Sequence, residues 1–414
     1  MKVLMIERYL FPFGGVQTYM LAVADWLQKS GHEVEFFGMY HEKNTVGNSA
    51  GQYTRTMDFH NNSLSRFTYP FTIIYSSSAR RKLSKVIDTF KPDIVHLHGF
   101  NFQLTPSVIY EVKKHGLPLI ATVHDAQIAC PCHRLYIEHH GKPCTACISG
   151  NYMNCMLHRC TSGSLVKSTL ATMESYLYHW LKTYHMIDCF ILPSQFMYHI
   201  MKTNGMDDGK MIHIQNFSRM NKPKRLKERT NERFVLYFGR LCREKGIETF
   251  VKVCRQMTNV TFKIAGCGPL ESAFEGLPNV QMLGFMQGSE LEDTIQAAAL
   301  TIYPSEWYEN CPMSVLESQM LGTPVVGARI GGIPELIEEG KSGLLFESGN
   351  ADDLKQAIEK LLANDVLLKK MQAYCAAGIK LMDTDDYCKV LQRQYEILIE
   401  PKAISHEETV NMSL

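Results

Sequence analysis

The chain has 414 residues and a mass of 47.2 kDa, with 45% hydrophobic and 21% charged residues. Such a length suggests two or three domains, the apolar fraction excludes wholesale disorder, and no apolar run reaches the ~18 residues of a spanning helix. A net charge of +1 argues against a general nucleic-acid binder. The start, MKVLMIERYLF, is interrupted by Glu7 and Arg8 too early for a secretory leader, so a cytoplasmic chain is expected, with its 13 cysteines reduced or holding metal.

In chain order, KVLMIE (2–7) reads as a buried strand. VQTYMLAVADWLQKSG (16–31) reads as a helix with Val16, Tyr19, Met20, Val23 and Leu27 on one face and Gly31 as its stop. HEVEFFG is the next strand. SARRKLSKVIDTFKPDIVHLHG gives a helix, a break at Pro92 and a strand. LPLIATVHD, IDCFILPS and KMIHIQNF add further strands. The polar, basic segment 218–232 has no hydrophobic period and reads as a linker. The rhythm then restarts with FVLYFGRL, TNVTFKIAG, NVQMLGF, LTIYPS, TPVVGA and SGLLFE, and DDYCKVLQRQYEILIE closes the chain as a helix. Short strands alternating with helices predict an α/β protein of two doubly wound domains, 1–217 and 233–382, with a tail helix over 383–402. Ligands of such sheets sit beyond the carboxyl ends of the strands, in a cleft expected between the domains.

The chemistry-bearing residues fall at those ends. In YFGRLCREKG, Arg240 and Lys245 follow a strand and open a helix. Two cations beside free helix N–H groups suit a diphosphate, although a solvated loop would have the same composition. IAGCGP forms a tight turn whose Gly268 lets backbone approach a ligand. In YPSEWYENCPMSVLESQMLGTPVV a strand ends at Pro304 and a helix follows from about Met313, so Glu309 and Glu317 present carboxylates at different depths. Between them Asn310, Cys311, Pro312 and Met313 bring the helix N-terminus, although two solvated glutamates on a surface helix would share the spacing. Gly14-Gly15 stands between the first strand and helix without a dinucleotide fingerprint, which disfavours a dehydrogenase. His124 and Asp125 end another strand, where an imidazole can bond a substrate hydroxyl or act as acid or base.

As an ordered series, these motifs resemble the family 4 glycosyltransferases of GT-B architecture over nearly the whole chain. The series is GGV at 14–16, HD at 124–125, GRL-x3-KG at 239–246, GxGP at 266–269, E-x7-E from Glu309 to Glu317, GTPVV at 322–326, GGIPE at 331–335 and GLL at 343–345. The resemblance implies a retaining transferase that takes a UDP- or GDP-sugar and needs no catalytic cofactor. It implies Arg240 and Lys245 on the diphosphate and Glu317 on the ribose. Glu309 with the amides of 310–313 would hold the donor sugar, His124 would lie near its reacting carbon, and Gly14-Gly15 would lie on phosphate. The acceptor is expected to be a glycan or polyprenyl-linked glycan of surface polysaccharide synthesis. The alternative is a non-catalytic nucleotide-sugar-binding or zinc-organised scaffold protein.

Two segments stand apart. Six cysteines crowd 130–160, and Cys144-x2-Cys147 has metal-ligand spacing. A subset of the family is similar here, which implies structural zinc on Cys130, Cys144, Cys147 and Cys160. The basic, aromatic stretch 65–83 reads either as a core helix with a basic face or as a contact with an anionic membrane at the inner face of the plasma membrane.

Overall fold

The computed structural model describes residues 1–55, 74–101, 104–220, 233–377 and 379–400. Most of the expected linker, and 65–73 of the basic aromatic stretch, lie outside them. In chain order the first elements are β1 (Lys2–Ile6), α1 (Gly15–Lys29), β2 (Glu33–Phe37), α2 (Ser77–Phe90), β3 (Ile94–Leu97), α3 (Ser107–Lys114) and β4 (Leu119–Thr122). A short antiparallel hairpin, β5 (Tyr136–Ile137) and β6 (Lys142–Pro143), follows with α4 (Met153–Leu157) and α5 (Leu165–Trp180). Next come β7 (Cys189–Leu192), α6 (Gln195–Thr203) and β8 (Met211–His213). The first sheet has the order β2-β1-β3-β4-β7-β8, with parallel pairs β1–β2, β1–β3 and β3–β4. Val3, Leu4, Met5 and Ile6 are all fully buried, as a parallel strand covered on both faces requires.

The second sheet contains β9 (Phe234–Phe238), β10 (Thr261–Ala265), β11 (Val280–Gly284), β12 (Leu300–Tyr303), β13 (Val325–Ala328) and β14 (Gly343–Phe346). Its helices are α7 (Ile247–Gln256), α8 (Gly288–Ala297), α9 (Met313–Met320), α10 (Ile333–Leu336), α11 (Ala351–Leu362) and α12 (Asp365–Ala377), and α13 (Thr384–Ile399) ends the described chain. The order is β11-β10-β9-β12-β13-β14. Successive strands run outward to one side from β9, then outward to the other side from β12. The sequence order therefore reverses between these neighbours, which pair Leu300 with Val235 and Thr301 with Leu236. A parallel sheet leaves its crevice at such a reversal. The expected α/β class with two parallel sheets is what the chain adopts.

By their contacts the residues form two compact units. One holds Met1–Thr122, Trp180–Phe190 and the chain from Asp385 onward; the other holds Val123–His179 and Ile191–Thr384. In the first unit α13 is fastened through buried polar groups. Tyr387 Oη lies 2.5 Å from Tyr19 Oη, and Tyr395 Oη lies 2.6 Å from His96 Nδ1. Trp26 Nε1 donates to Asp385 at 2.8 Å. α2 buries Ala79, Leu83, Val86, Ile87 and Phe90, so this part of the basic stretch is an amphipathic helix seated on the core. Among the described residues no helix is long and apolar enough to cross a membrane.

Candidate functional site

The second unit builds its site at the sheet's reversal. β9 ends in the loop 239–246, a 3-10 turn spans Arg243–Lys245, and α7 starts behind Gly246. Gly246 has φ +72°, and a Cβ there would stand 1.7 Å from the Pro304 carbonyl oxygen, so glycine lets the start of α7 touch the end of β12. Gly268 plays a similar part: its Cβ would meet the Leu241 carbonyl oxygen at 2.4 Å, so the turn after β10 closes onto the same loop.

This approach brings Lys245 onto Glu309. The ammonium lies 2.5 Å from Glu309 Oε1 and 2.9 Å from Tyr303 Oη, above the rings of Tyr303 and Trp307. The same carboxylate oxygen accepts from Tyr303 Oη at 3.1 Å, Ser305 Oγ at 3.0 Å and Trp307 Nε1 at 2.5 Å. Burial alone would raise the Glu309 carboxyl; Lys245 and these donors outweigh burial and hold it below the ordinary carboxylate range. Burial likewise opposes the Lys245 charge, and Glu309 overcomes it, so Lys245 stays protonated. Lys245 and Glu309 thus meet as a buried ion pair. Arg240 does not join them: it is exposed, and its guanidinium is 3.5 Å from Glu244 Oε1.

Asn310 ties the next segment down. Its Nδ2 donates to the Val123 carbonyl at 2.7 Å and reaches that of His124 at 3.4 Å, while its Oδ1 accepts from Ser194 Oγ at 2.6 Å. His124 and Asn310, distant in sequence, are therefore neighbours. Burial pushes the His124 imidazole down to about 3, so it is neutral near neutral pH and suited to hydrogen bonding rather than to donating a proton as an acid. Gly331 and Gly332 make room for this segment, since a Cβ on Gly332 would stand 1.9 Å from the Asn310 carbonyl oxygen. Cys311 is buried, which pushes its thiol up to about 12, and its carbonyl accepts from Asn216 Nδ2 at 3.0 Å. Pro312 is extended and Met313 opens α9 without a side-chain cap, leaving its first N–H groups for other partners.

Glu317 is buried on α9 and bonds Arg219 Nη2 at 3.1 Å. Burial raises its carboxyl, and Arg219 offsets part of that rise. Neither Arg219 nor the donors Tyr303, Ser305 and Trp307 was singled out in the sequence. Spacing does not reveal which side chains turn toward one oxygen, and Arg219 lies in what reads as linker. Gly14 and Gly15 belong to the first unit, where Gly14 precedes α1 in extended backbone and a Cβ on Gly15 would meet nothing within 4 Å.

The Cys-rich segment lies in the second unit, against the 239–246 loop. Gly141, in the turn joining β5 to β6, has φ +64°, and its Cβ would be 2.4 Å from Arg243 Cζ. Cys130, Cys132, Cys144, Cys147 and Cys160 line one small cavity of about 10 Å³ with His158. Cys130 Sγ is 3.4 Å from Cys132 Sγ, and Cys155 is buried in the same cluster. Soft thiols around so small a space suit zinc as a donor set. As placed, however, no three Cys, His, Asp or Glu side chains among the described residues are disposed to share an ion, so the expected set of Cys130, Cys144, Cys147 and Cys160 is not a preformed metal site.

Residues 218–378 match the family model described as Glycosyl transferases group 1, and residues 13–218 match that described as Glycosyltransferase Family 4. The GDP-mannose-dependent alpha-mannosyltransferase of Corynebacterium glutamicum is 26% identical over 328 residues, 77% of this chain and 70% of that protein. Sulfoquinovosyl transferase SQD2 of Arabidopsis thaliana is 36% identical over 135 residues, 31% of this chain and 26% of that protein, so the chain spans about a quarter of this relative. Among solved structures, Anabaena HepE in complex with UDP superposes with a TM-score of 0.67 at 16% identity, covering 96% of this chain and 100% of that one.

Proposed function

Because the chain belongs to the family 4 glycosyltransferases and carries their GT-B fold, we propose that it is a retaining enzyme using a UDP- or GDP-sugar. Its acceptor is a glycan or lipid-linked glycan of surface polysaccharide, met at the inner face of the plasma membrane. The lobe limits 1–217 and 233–382 are part of this proposal.

The buried Lys245–Glu309 pair carries the reading. Cleaving a sugar–diphosphate bond leaves negative charge on the diphosphate and positive charge on the ring. An ammonium held charged in a dry site answers the first, and it needs no reorganisation when the bond breaks. A bound diphosphate competes with Glu309 for Lys245, while the uncapped first N–H groups of α9 offer further donors to phosphate. Glu309, fixed by three further donors, is then the acceptor for donor-sugar hydroxyls. Glu317, steadied by Arg219, bonds the ribose, and Arg240, exposed at the surface, closes on the diphosphate. Neutral His124 donates to the sugar near its reacting carbon. A phosphate oxygen of the leaving group takes the acceptor's proton, so the nucleophile enters on the face the diphosphate leaves.

The test is a panel of nucleotide sugars in thermal shift, followed by donor hydrolysis and transfer. One nucleotide sugar is expected to raise Tm, since a ligand of the native state alone stabilises it. A panel in which none does, or a binder that is never turned over, contradicts the enzyme reading; the latter favours the scaffold alternative.

Zinc remains our proposal for what orders the Cys-rich segment, with side-chain rotation bringing Cys130, Cys144, Cys147 and Cys160 onto one ion. Elemental analysis of the native protein should find zinc, with four thiols that react only after chelation. Four freely reactive thiols in the untreated protein would end the idea.

A further inference from the structure

A helix of a globular protein ordinarily turns its apolar stripe inward and its polar side outward. α5 departs from this in carrying an apolar line on its outward face. Val166, Met173 and Trp180 recur every seven residues, so they share one line along the helix, and they stand 68%, 55% and 79% exposed. Leu165 and Tyr176 widen the same exposed face. The inward side buries Ser168, Thr172 and Ser175, at 0%, 3% and 8% exposure, with Tyr178 as its one fully buried large side chain.

Hydrogen bonds hold the helix this way round. Ser168 Oγ accepts from the Thr161 amide at 3.0 Å, Thr172 Oγ1 donates to the Tyr152 carbonyl at 3.2 Å, and His179 Nε2 lies 2.7 Å from the Ile128 carbonyl oxygen. The concentration is local. Eight of the fifteen large apolar side chains exposed among the described residues fall between Met153 and Leu181. A contiguous apolar patch on an otherwise polar surface marks something that covers it.

The charge of the flanking sequence points to the cover. Between Glu138 and Asp188 the sequence has four Lys or Arg and a single acid, Glu174. Arg159, Lys167 and Lys182 are exposed. An apolar helix face ending in tryptophan and flanked in sequence by exposed cations matches an interfacial helix that lies in an anionic lipid surface. We propose that the outward face of α5 seats this protein on an anionic membrane. The proposal does not depend on the transferase reading.

The test is co-sedimentation of the full chain with vesicles of phosphatidylcholine alone or mixed with phosphatidylglycerol. The parent is expected to partition onto the mixed vesicles, less so as salt is added. The double variant M173S/W180S is expected to bind them about tenfold more weakly or less while keeping the parent's Tm, because both side chains are exposed. Failure of the parent to bind the mixed vesicles overturns the proposal. Equal binding by the variant does so too. So does a parent that is dimeric in solution and becomes monomeric on substitution without ever binding lipid, since a second copy would then be the cover.

Discussion

Four donors meet at Glu309 Oε1: Lys245, Tyr303, Ser305 and Trp307. One oxygen so surrounded fixes the carboxylate's rotamer. Trp307→Phe keeps the ring near Lys245 and removes one N–H, and a hydrogen bond to a charged group contributes about 1.5–3 kcal/mol. If the bond positions Glu309 for the donor sugar, kcat falls by about tenfold or more while KM for the donor changes little; an unchanged kcat would show that Trp307 only packs. Glu317 differs in sign. Its folded carboxyl is raised, chiefly by burial, so its contribution to stability is present below the ordinary glutamate value and lost as pH rises through the raised one. Glu317→Gln is therefore expected to have a higher Tm than the parent near neutral pH, with the gap closing in acid. A gap that is constant across pH would contradict this origin.

At the scale of elements, the sequence located the pieces and not their contacts. A run such as FVLYF, buried on both faces, is legible because a central parallel strand needs unbroken apolar residues. The order Gly239, Arg240, Lys245, Glu309 was legible as a series following strand ends, with Glu317 on the helix after the last of them. Which of its members touch was not. Lys245 reaches Glu309 only because Gly246 lets α7 abut Pro304, whereas Arg240, two residues past β9, stays in solvent. α5 was invisible as a surface, because periodicity reports a stripe without saying which way it faces. Gly331-Gly332 can be tested as a packing device. Gly332→Ala places a Cβ against the Asn310 carbonyl oxygen and the Ser194 side chain and is expected to cost about 1–3 kcal/mol, seen as a lower Tm. Gly15→Ala, where a Cβ meets nothing within 4 Å, should leave Tm nearly unchanged. Equal effects would mean that the approach of 309–310 to this loop does not matter to the fold.

For the whole molecule, the second unit joins three features that lie far apart in the chain: the loop after β9, the segment before α9, and the strand end at His124. The Cys-rich segment leans on the first of these through Gly141 and Arg243. The central claim is that Glu309 and Lys245 act on a nucleotide sugar as a pair. It is tested most directly by Glu309→Gln, which keeps shape and removes charge, with turnover and nucleotide affinity measured on the same preparation. The account predicts turnover at least about a hundredfold lower, with the free nucleotide diphosphate binding as tightly as before or more tightly, since Lys245 is released to it. A variant that turns over like the parent, or one that loses nucleotide binding while its Tm is intact, would contradict it.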